Sequence, residues 1–275
     1  MAHHSNKLFL WNNTNLYLGD SFETDFHRHN AVQCCIALKG QLKIKTDLID
    51  NWQQCTTAII GANISHSIAN PDGPVCLIYL EKCSDNYRSI QDYHGLKNEM
   101  KHQVLLSTES IPENLIDSAA YLQSLDLSTQ SDEDVQFIEQ KMIRFRQLSL
   151  KLFRGFIEKR TLIDPRVTKL LSFLNQRPDE VIEGKQLANE INLSQSRMQH
   201  LFKQQIGVPI RRYVLWMRLR NVIKNVASGV GLTESAHSSG FSDSAHFSRT
   251  FKSMFGIAAA TVMSKKSGLQ TYFCD

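Results

Sequence analysis

The sequence predicts an α+β fold, with strands in its N-terminal part and helices in the rest. Residues 8–82 consist of short apolar runs separated by turn residues, which is typical of strands. Beyond them the apolar residues recur with helical spacing, and Pro165 ends that stretch. A chain of 275 residues is long enough for two ordinary cores. We expect a β-barrel or sandwich at 1–110, a helical linker at 111–160 and a helical domain at 161–275.

The N-terminal strands are predicted from runs rich in β-branched and other apolar residues. These runs are NLYLGD, VQCCIALKG, QLKIKT, TTAIIG and VCLIYLE. Gly40 lies between two of them and predicts a tight hairpin. The six cysteines show no C-x-x-C spacing, and several lie within these runs. This pattern indicates buried, reduced thiols and not a disulfide framework.

The last helix of the linker carries a narrow apolar stripe. Its members alternate at spacings of four and three residues if Ser149 fills one step. Such a stripe favours either a seam between two copies of the chain or docking of the helix on its own barrel. The spacing does not separate the two, so a homodimer is one of two interpretations. The stripe consists of Ile138, Met142, Phe145, Leu152 and Phe156.

The charge is unevenly distributed along the chain. Residues 161–275 hold 15 Lys and Arg against 8 Asp and Glu, whereas residues 1–160 hold 16 against 19, and the whole chain carries +4. This asymmetry predicts that the C-terminal region meets a polyanion such as nucleic acid. No run reaches 18 apolar residues, and the start MAHHSNKLFLWNN lacks the pattern of a signal peptide. We therefore expect a cytoplasmic protein without membrane contact.

The C-terminal region is predicted to be helical throughout and to contain an internal repeat. The segment SRMQHLFKQQIG aligns with AHFSRTFKSMFG at an offset of 49 residues, which pairs Phe202 with Phe251. Upstream the offset is 48 and pairs Ala188 with Ala236, so one residue is inserted in the second copy. Two copies of one supersecondary unit explain the repeat. The predicted helices span roughly 165–176, 184–191, 194–205, 209–226, 232–239, 243–254 and 258–264.

Each copy has the layout of a helix-turn-helix unit: a short helix with a small residue, a turn, a capping residue and a longer amphipathic helix. The apolar face of the longer helix holds it in its domain, and the polar face remains free for the major groove. Arg249 and Gln199 are the best base readers, because Arg pairs with guanine and Gln with adenine through two hydrogen bonds. The outward positions are Gln195, Ser196, Gln199 and His200 in the first copy and Ser244, Ala245, His246 and Arg249 in the second. The predicted phosphate contacts are Ser194, Gln195, Lys203, Ser244 and Lys252.

A long helix predicted over 209–226 joins the two copies. At roughly 1.5 Å per residue it is about 27 Å long. Successive major-groove faces lie about 34 Å apart, so one chain could place both reading helices in adjacent groove segments.

These residues resemble the AraC/XylS family of bacterial transcription regulators. The resemblance covers 165–264 and is carried by L-A…S-x-x-x-(L/M)-x-x-x-F-K-x-x-x-G, by Tyr213 and Arg218 in the connecting helix, and by G-F-S-D-x-x-H-F-S-R-x-F-K-x-x-F-G. It implies two units that bind adjacent major grooves of promoter DNA, and activation through contact with RNA polymerase. The chain departs from the family pattern at Ser235, which is usually Ile or Val, and in AAATVM at 258–263. By position, the resemblance implies base contacts from Ser196, Gln199, His200, Ala245, His246 and Arg249.

A cluster of histidines is predicted in the N-terminal region. On an extended strand His27, His29 and Gln33 share one face, and the segment GANISHSIAN adds His66 from a later strand. The pattern resembles the two motifs of cupin barrels, with Gln33 in place of the usual Glu. The resemblance implies a sensor barrel whose mouth binds a small-molecule effector, with these four residues in the pocket.

Two interpretations of the histidines remain open. Three neutral imidazoles suit a divalent metal such as Zn, Fe, Ni or Cu, which would be held by His27, His29 and His66. Alternatively, the histidines line a pocket or its hydrogen-bond network, and no metal or other cofactor is required.

The sequence thus predicts a DNA-binding transcription regulator, by resemblance an activator, controlled by a small molecule or metal in the N-terminal barrel, and not an enzyme. The alternative is a metal-dependent cupin enzyme, such as a dioxygenase, with a helical appendage. The glutamine at position 33 and the intact repeat argue against that alternative.

Overall fold

The computed structural model describes residues 6–11, 14–20, 22–81, 84, 104–125, 132–153, 163–177, 180, 183–263 and 268–274. The N-terminal part consists of strands in which burial alternates or is continuous, as in half-buried and fully buried sheets. The strands are β1 (Lys7–Leu10), β2 (Thr14–Gly19), β3 (Phe22–Glu23), β4 (Val32–Ala37), β5 (Leu42–Thr46), β6 (Ile49–Cys55), β7 (Thr57–Ile60), β8 (His66–Asn70), β9 (Val75–Leu80), β10 (Val104–Ser107) and β11 (Gln270–Phe273).

The helices follow the sheet strands and agree with the predicted C-terminal helices to within one or two residues at their ends. Among the described residues, no helix combines the length and apolarity needed to cross a bilayer. The helices are α1 (Glu113–Ser124), α2 (Asp132–Lys151), α3 (Pro165–Asn175), α4 (Gly184–Glu190), α5 (Gln195–Ile206), α6 (Ile210–Ala227), α7 (Leu232–Ser238), α8 (Ser244–Phe255) and α9 (Ala259–Met263).

The strands form two sheets. The larger has the order β10-β7-β4-β9-β2-β1-β11, and the smaller has the order β3-β8-β5-β6. Neighbouring strands pair antiparallel except β1 and β11, which are parallel. In the central strand β4, Cys34 lies opposite both Ile59 and Ile78, and every residue of β4 is buried. The larger sheet is therefore covered on both faces.

The two faces of the larger sheet take part in different cores. Side chains alternate with a period of two, so Ile78 and Leu77 of β9 point to opposite faces. Ile78 packs in one cluster with residues of α1 and α2. Leu77 packs in a second cluster with Ile44 and Ile68 of the smaller sheet and with Trp216 of α6. The sheet domain is thus bound to helices of the C-terminal region through its inner face.

The apolar stripe of the linker helix packs on the larger sheet of the same chain. Met142 and Phe145 are each 1% exposed, and Ser149 fills the missing step with its hydroxyl bonded to the Phe145 carbonyl at 2.9 Å. Ile138 and Leu152 pack against the same cluster, whereas the predicted member at 156 lies outside the described residues. Docking on the chain's own sheet is the arrangement observed, so this stripe does not form a seam with a second copy.

Gly40 does not form the predicted hairpin. Strand β4 pairs with β7 and β9 in the larger sheet, while β5 pairs with β6 and β8 in the smaller one. The chain crosses between the sheets at Gly40, which has φ of 69° and where a Cβ atom would collide with Asp72. A local turn signal did not show which sheet each strand would join.

The described cysteines are buried free thiols, as predicted. Burial raises the pKa of the Cys34 and Cys76 thiols well above their usual range and that of Cys55 to about 12. These thiols are therefore protonated and unreactive at neutral pH. Cys83 lies outside the described residues. The buried thiols are Cys34, Cys35, Cys55, Cys76 and Cys274.

The end of the chain corrects the expectation of an all-helical C-terminal region. Strand β11 extends the larger sheet, with Lys7 opposite Gln270 and Leu10 opposite Phe273. Tyr272 is buried in the cluster that the sheet forms with α1 and α2. The last residues of the segment 161–275 therefore complete the N-terminal sheet.

Candidate DNA-binding and effector sites

The first helix-turn-helix unit consists of α4 and α5. The Ser194 hydroxyl caps α5 by accepting a hydrogen bond from the Arg197 N–H at 3.4 Å. Helix α5 ends at Gly207, whose φ of 93° is the left-handed conformation that glycine adopts easily. The buried face of α5 consists of Met198, Phe202 and Ile206, in one core with Leu187 and Ala188 of α4.

The second unit consists of α7 and α8 and has the same construction. The Asp243 carboxylate caps α8 by accepting a hydrogen bond from the His246 N–H at 2.6 Å, and that bond lowers the pKa of Asp243. Helix α8 ends at Gly256 in the left-handed conformation. The buried face of α8 consists of Phe247, Phe251 and Met254, in contact with Ala236 and Phe241.

The departures from the family pattern do not disrupt the second unit. Ser235 is fully buried, and its hydroxyl donates a hydrogen bond to the Val230 carbonyl at 3.4 Å. The buried polar group is therefore satisfied within its own unit. The altered segment at 258–263 still forms α9, with Ala259 buried.

The polar faces of α5 and α8 are open to solvent. Of the predicted base contacts, His246 is half-buried and the others are exposed: Ser196, Gln199, His200, Ala245 and Arg249. Arg249 forms no hydrogen bond or salt bridge with any residue that the structure describes. Of the predicted phosphate contacts, Ser194, Gln195, Lys203 and Lys252 are exposed and Ser244 is half-buried.

Three of these predicted contacts already have partners within the chain. The His246 ring stands edge-on to Phe241 at 5.2 Å between centroids. The Lys252 ammonium lies 3.0 Å from an Asp25 carboxylate oxygen. The Gln195 side chain lies against Gly184, where a Cβ atom would overlap it. DNA contact by Lys252 would therefore compete with its ion pair to Asp25.

The connecting helix α6 docks on the sheet domain through a buried carboxylate. Glu81, at the end of β9, is 4% exposed. Its carboxylate accepts hydrogen bonds from the Trp216 indole at 2.8 Å, the Arg220 guanidinium at 2.9 Å and the Tyr213 hydroxyl at 3.3 Å. The spacing of three and four residues places all three donors on one face of the helix. The Glu81 side chain is buried, whereas the Arg220 side chain is 19% exposed and also donates to the Trp11 carbonyl at 2.6 Å. Removing Glu81 would take away the acceptor that the indole and the guanidinium share.

The second unit makes further contacts with the sheet domain through backbone groups. The Asp25 N–H donates to the Gly256 carbonyl at 2.8 Å, and the Arg28 N–H donates to the Ser253 carbonyl at 3.4 Å. A Cβ atom at Gly256 would collide with the Asp25 carbonyl and with the His27 ring. Glycine is therefore required at the end of α8 by the close approach of the two domains as well as by its φ.

The predicted histidine cluster is present and lies between the two sheets and α6. His27, His29 and His66 are at most 3% exposed, and their ligand-type nitrogens lie within 4.8 Å of one another. The His29 ring is 6.2 Å from Trp216 between centroids. Burial lowers the pKa of His27 to about 4 and that of His29 to about 3, and burial also lowers the pKa of His66. All three rings are therefore neutral at pH 7.

The hydrogen bonds of the neutral rings determine where their protons lie. Each Nδ1 is 2.9 Å from a backbone carbonyl oxygen, of Asp25, Ala31 or Ile64, and a carbonyl only accepts. Each Nδ1 therefore carries the proton, and the Nε2 atoms carry lone pairs.

The Gln33 carboxamide lies between two of these lone pairs. Its Oε1 is 2.7 Å from Nε2 of His29 and 2.9 Å from Nε2 of His66, with Nε2 of Gln33 3.5 Å from the Tyr79 hydroxyl. Rotating the carboxamide by half a turn lets its NH₂ donate to both rings and its oxygen accept from Tyr79, so the network favours that orientation. The three Nε2 lone pairs also suit a divalent metal, which would have to displace Gln33.

A cavity of about 410 Å³ lies beside this cluster, between the inner face of the larger sheet and the second unit. This volume is within the range of about 300–1,000 Å³ usual for small-molecule sites. The sheet contributes residues of β1, β2 and β9, and the second unit contributes residues of α8 and α9. None of the four predicted pocket residues, His27, His29, Gln33 and His66, lines this cavity. Tyr79 lines the cavity and also lies beside Gln33, so it connects the cavity with the histidine cluster. The lining residues on the helical side are Ile223, Phe251, Phe255, Ile257, Thr261, Val262 and Met263.

Sequence reasoning missed both the Glu81 contact and this cavity. The aromatic and basic residues at 213, 216 and 220 lie at helical spacing, which was a usable signal that one face of α6 docks on something. Nothing in the sequence marked Glu81 as their partner, because the contact joins residues more than 130 positions apart.

Comparison with known proteins adds independent findings on the C-terminal region. Residues 187–265 match a family model described as a helix-turn-helix domain. The HTH-type transcriptional activator RhaS of Klebsiella pneumoniae (strain 342) is 30% identical over 129 residues, which cover 46% of this chain and 46% of that protein. RhaS of Escherichia fergusonii is 30% identical over 134 residues, covering 48% and 45%. The chain matches about half the length of these curated relatives.

Solved structures resemble the whole chain. The apo form of a single-residue variant of ToxT from Vibrio cholerae strain SCE256 has a TM-score of 0.60 at 15% identity, covering 91% of this chain and 96% of that one. Wild-type ToxT with a bound unsaturated fatty acid has a TM-score of 0.53 at 16% identity, covering 94% and 95%. At these identities the likeness shows a shared two-domain α+β fold.

Proposed function

We propose that this chain, whose C-terminal region is an AraC-type helix-turn-helix domain, is a sequence-specific DNA-binding transcription regulator controlled by a small molecule. The observation that carries the proposal is the doubled unit. Two capped helices, α5 and α8, each bury one face and leave the other free for the major groove. They are joined by α6, whose 18 residues span about 27 Å at roughly 1.5 Å per residue.

In this proposal, promoter DNA is read by one exposed face in each unit. Arg249 and Gln199 make base contacts, with Ser196, His200, Ala245 and His246 beside them. Phosphates are held by the lysines and by the helix starts. Those phosphate contacts are Ser194, Gln195, Lys203, Ser244 and Lys252.

The direction of regulation is proposed from the curated relatives. RhaS is named a transcriptional activator, which supports activation by this chain and contact with RNA polymerase. We keep a homodimer and a cytoplasmic location as part of the proposal. Because the apolar stripe of α2 is buried against its own sheet, a dimer would use another surface.

The effector site is proposed to be the cavity between the sheet domain and the second unit. Its walls come from both domains, so a ligand there changes the free energy of the contact between them. ToxT, which shares the fold, has been solved with an unsaturated fatty acid bound, which supports regulation by a small amphiphilic molecule.

The test is a DNase footprint of the purified chain on the promoter region beside its own gene, at low and at physiological salt. The expected result is protection of two adjacent segments about one helical turn apart, since the reading helices sit on one rigid connector. Absence of protection at both salt concentrations, or equal affinity for unrelated DNA of the same length, would falsify the proposal.

A divalent metal at His27, His29 and His66 stays a prediction. The three nitrogens fit the donor set of an ion such as zinc, provided that Gln33 moves away. Elemental analysis of protein purified without chelator checks it. Stoichiometric metal would support the metal interpretation, and metal with substrate turnover would favour the enzyme alternative. Protein free of metal would leave Gln33 as the centre of a hydrogen-bond network.

A further inference from the structure

The charge of the cavity wall points to the chemical class of the effector. Resting on the proposed function, we infer that the cavity takes an apolar amine: an amphiphile with an aliphatic or aromatic body and a cationic, hydrogen-bond-donating end, and not a carboxylate. The inference comes from the residues that line the cavity.

The body of the cavity suits an apolar group. On the sheet side, Leu8, Leu10 and Leu77 face it, and on the helical side Phe251 and Phe255 face it. Burying an alkyl chain against these side chains contributes about 25 cal/mol per Å² of apolar surface. The aromatic residues also attract a cation held over their ring faces.

The charged part of the described wall is acidic. Asp20 and Glu23 line the cavity, and both residues are exposed to solvent. Asn15 lines it too, is 8% exposed, and its Oδ1 is buried with no hydrogen-bond partner among the described residues. The Asn15 carboxamide offers a ligand a buried hydrogen-bond partner in either orientation of its O and N atoms, so the charge preference rests on the two carboxyl groups.

Basic side chains are absent from the described part of the cavity wall. None of the described lining residues is Lys, Arg or His. Lys252 is on the neighbouring helix α8, but its ammonium pairs with Asp25 and does not line the cavity. Burial raises the pKa of the Tyr17 hydroxyl to about 12, and the charge of Asp20 contributes to that shift. A ligand carboxylate would meet acceptors and like charge in this wall, whereas an ammonium would meet partners.

The inference is tested with three probes of equal chain length: dodecylamine, dodecanol and dodecanoate, each below the concentration at which it forms micelles. Affinity for the full chain is measured by calorimetry at pH 7, with a thermal-shift assay in parallel. The amine is expected to bind at least tenfold more tightly than the acid, with the alcohol between them. Equal or tighter binding of dodecanoate would overturn the inference.

Two variants separate the charge of the wall from the space it encloses. Asp20→Asn combined with Glu23→Gln keeps the shape, and is expected to reduce amine affinity to that of the alcohol. Val262→Trp fills the cavity from α9, and is expected to abolish binding of all three probes. Amine binding that survives Val262→Trp would place the ligand elsewhere and overturn the inference.

Lys265 and Lys266 lie outside the described residues and are tested directly. The double variant Lys265→Ala, Lys266→Ala should leave the order of the three affinities unchanged. If dodecanoate binds the native chain most tightly and loses that affinity in the double variant, the two lysines hold the ligand and the inference from the acidic wall is wrong. A footprint without probe keeps the two proposals apart. Specific DNA protection combined with a preference for dodecanoate rejects the amine and retains the regulator, whereas loss of specific protection rejects the regulator itself.

Discussion

The two helix-turn-helix units have the same construction but different surroundings. Among the described residues, the buried face of α5 shares its cluster with α3, α4, α6 and the loops on either side of α5. The buried face of α8 belongs to the same cluster as the inner faces of both sheets. The second unit also has backbone hydrogen bonds to the sheet domain at Gly256 and Ser253. Equivalent sequence motifs therefore give one unit whose core reaches the sheet domain through Tyr213, which is bonded to Glu81, and one unit whose core is shared with both sheets.

This difference suggests which unit an effector controls. A ligand in the cavity contacts α8 and α9 but no residue of α4 or α5. Its binding free energy would therefore act on the second unit and on α6, which contributes Ile223 to the wall.

Truncating one buried phenylalanine in each unit should lower the stability by the same amount but affect different regions of the chain. Phe202→Ala and Phe247→Ala each remove a side chain that is 0% exposed, so each should lower the free energy of unfolding by roughly 3–5 kcal/mol. Hydrogen exchange should then accelerate in α3, α4 and α5 but not in the strands for Phe202→Ala, and in both α8 and the strands of the smaller sheet for Phe247→Ala. If Phe202→Ala also accelerated exchange in the strands, the separation of the two cores would be wrong.

Glu81→Ala should release α6 from the sheet domain. The variant leaves the Arg220 cation and the Trp216 indole without their buried acceptor, at a cost of about 3–5 kcal/mol in chemical denaturation. Glu81→Gln is the matched control, because it keeps an acceptor oxygen and removes the charge, and its loss should be smaller. Equal losses in the two variants would show that the charge of Glu81 dominates and that its hydrogen bonds contribute little.

Arg249→Ala should change which DNA is preferred. Removing a bidentate contact to a base should cost roughly 1–3 kcal/mol on the native site and relax one base position. Arg197→Ala is the control, because Arg197 is exposed on α5 but is not one of the predicted base contacts. Competition binding against sites mutated one base at a time measures both. A uniform loss across all sites would reassign Arg249 to the phosphates.

The two lysines should respond differently to salt. Lys203→Ala and Lys252→Ala should each weaken binding to all sequences and reduce the salt slope by about 1. Because Lys252 gives up its ion pair with Asp25, its effect should be the smaller by up to about 1 kcal/mol, the value of an exposed pair. Asp25→Asn should then strengthen DNA binding slightly. An unchanged affinity in Asp25→Asn would show that the pair does not compete with DNA.

Much of the helical region was predictable from the sequence, because its signals are local. The caps Ser194 and Asp243 and the glycines at 207 and 256 mark the helix ends within a few residues of where they act. The repeat then identifies the two reading helices without any long-range information. The histidine cluster was predicted as well, because His27 and His29 are near neighbours in sequence and the motif named the third histidine, His66.

The sheet domain was less predictable because strand pairing is not local. The turn signal at Gly40 was correct as a turn but wrong as a hairpin, because the two strands joined different sheets. Strand β11 was missed, since four residues with no partner nearby in sequence carry almost no strand signal. The spacing of the apolar stripe in the linker helix predicted that one face of the helix is buried. It did not show which surface covers that face.

Two repeated, capped amphipathic helices with polar outward faces, and a cluster of three histidines, could be inferred from the amino-acid order. These features depend largely on residues a few positions apart, where backbone geometry fixes the relation between side chains. The bond of Glu81 to α6, the core that the second unit shares with the sheets, and the cavity between them with its two acidic residues became visible in the folded chain. Those contacts join residues far apart in sequence, and their geometry exists only after both domains have packed together.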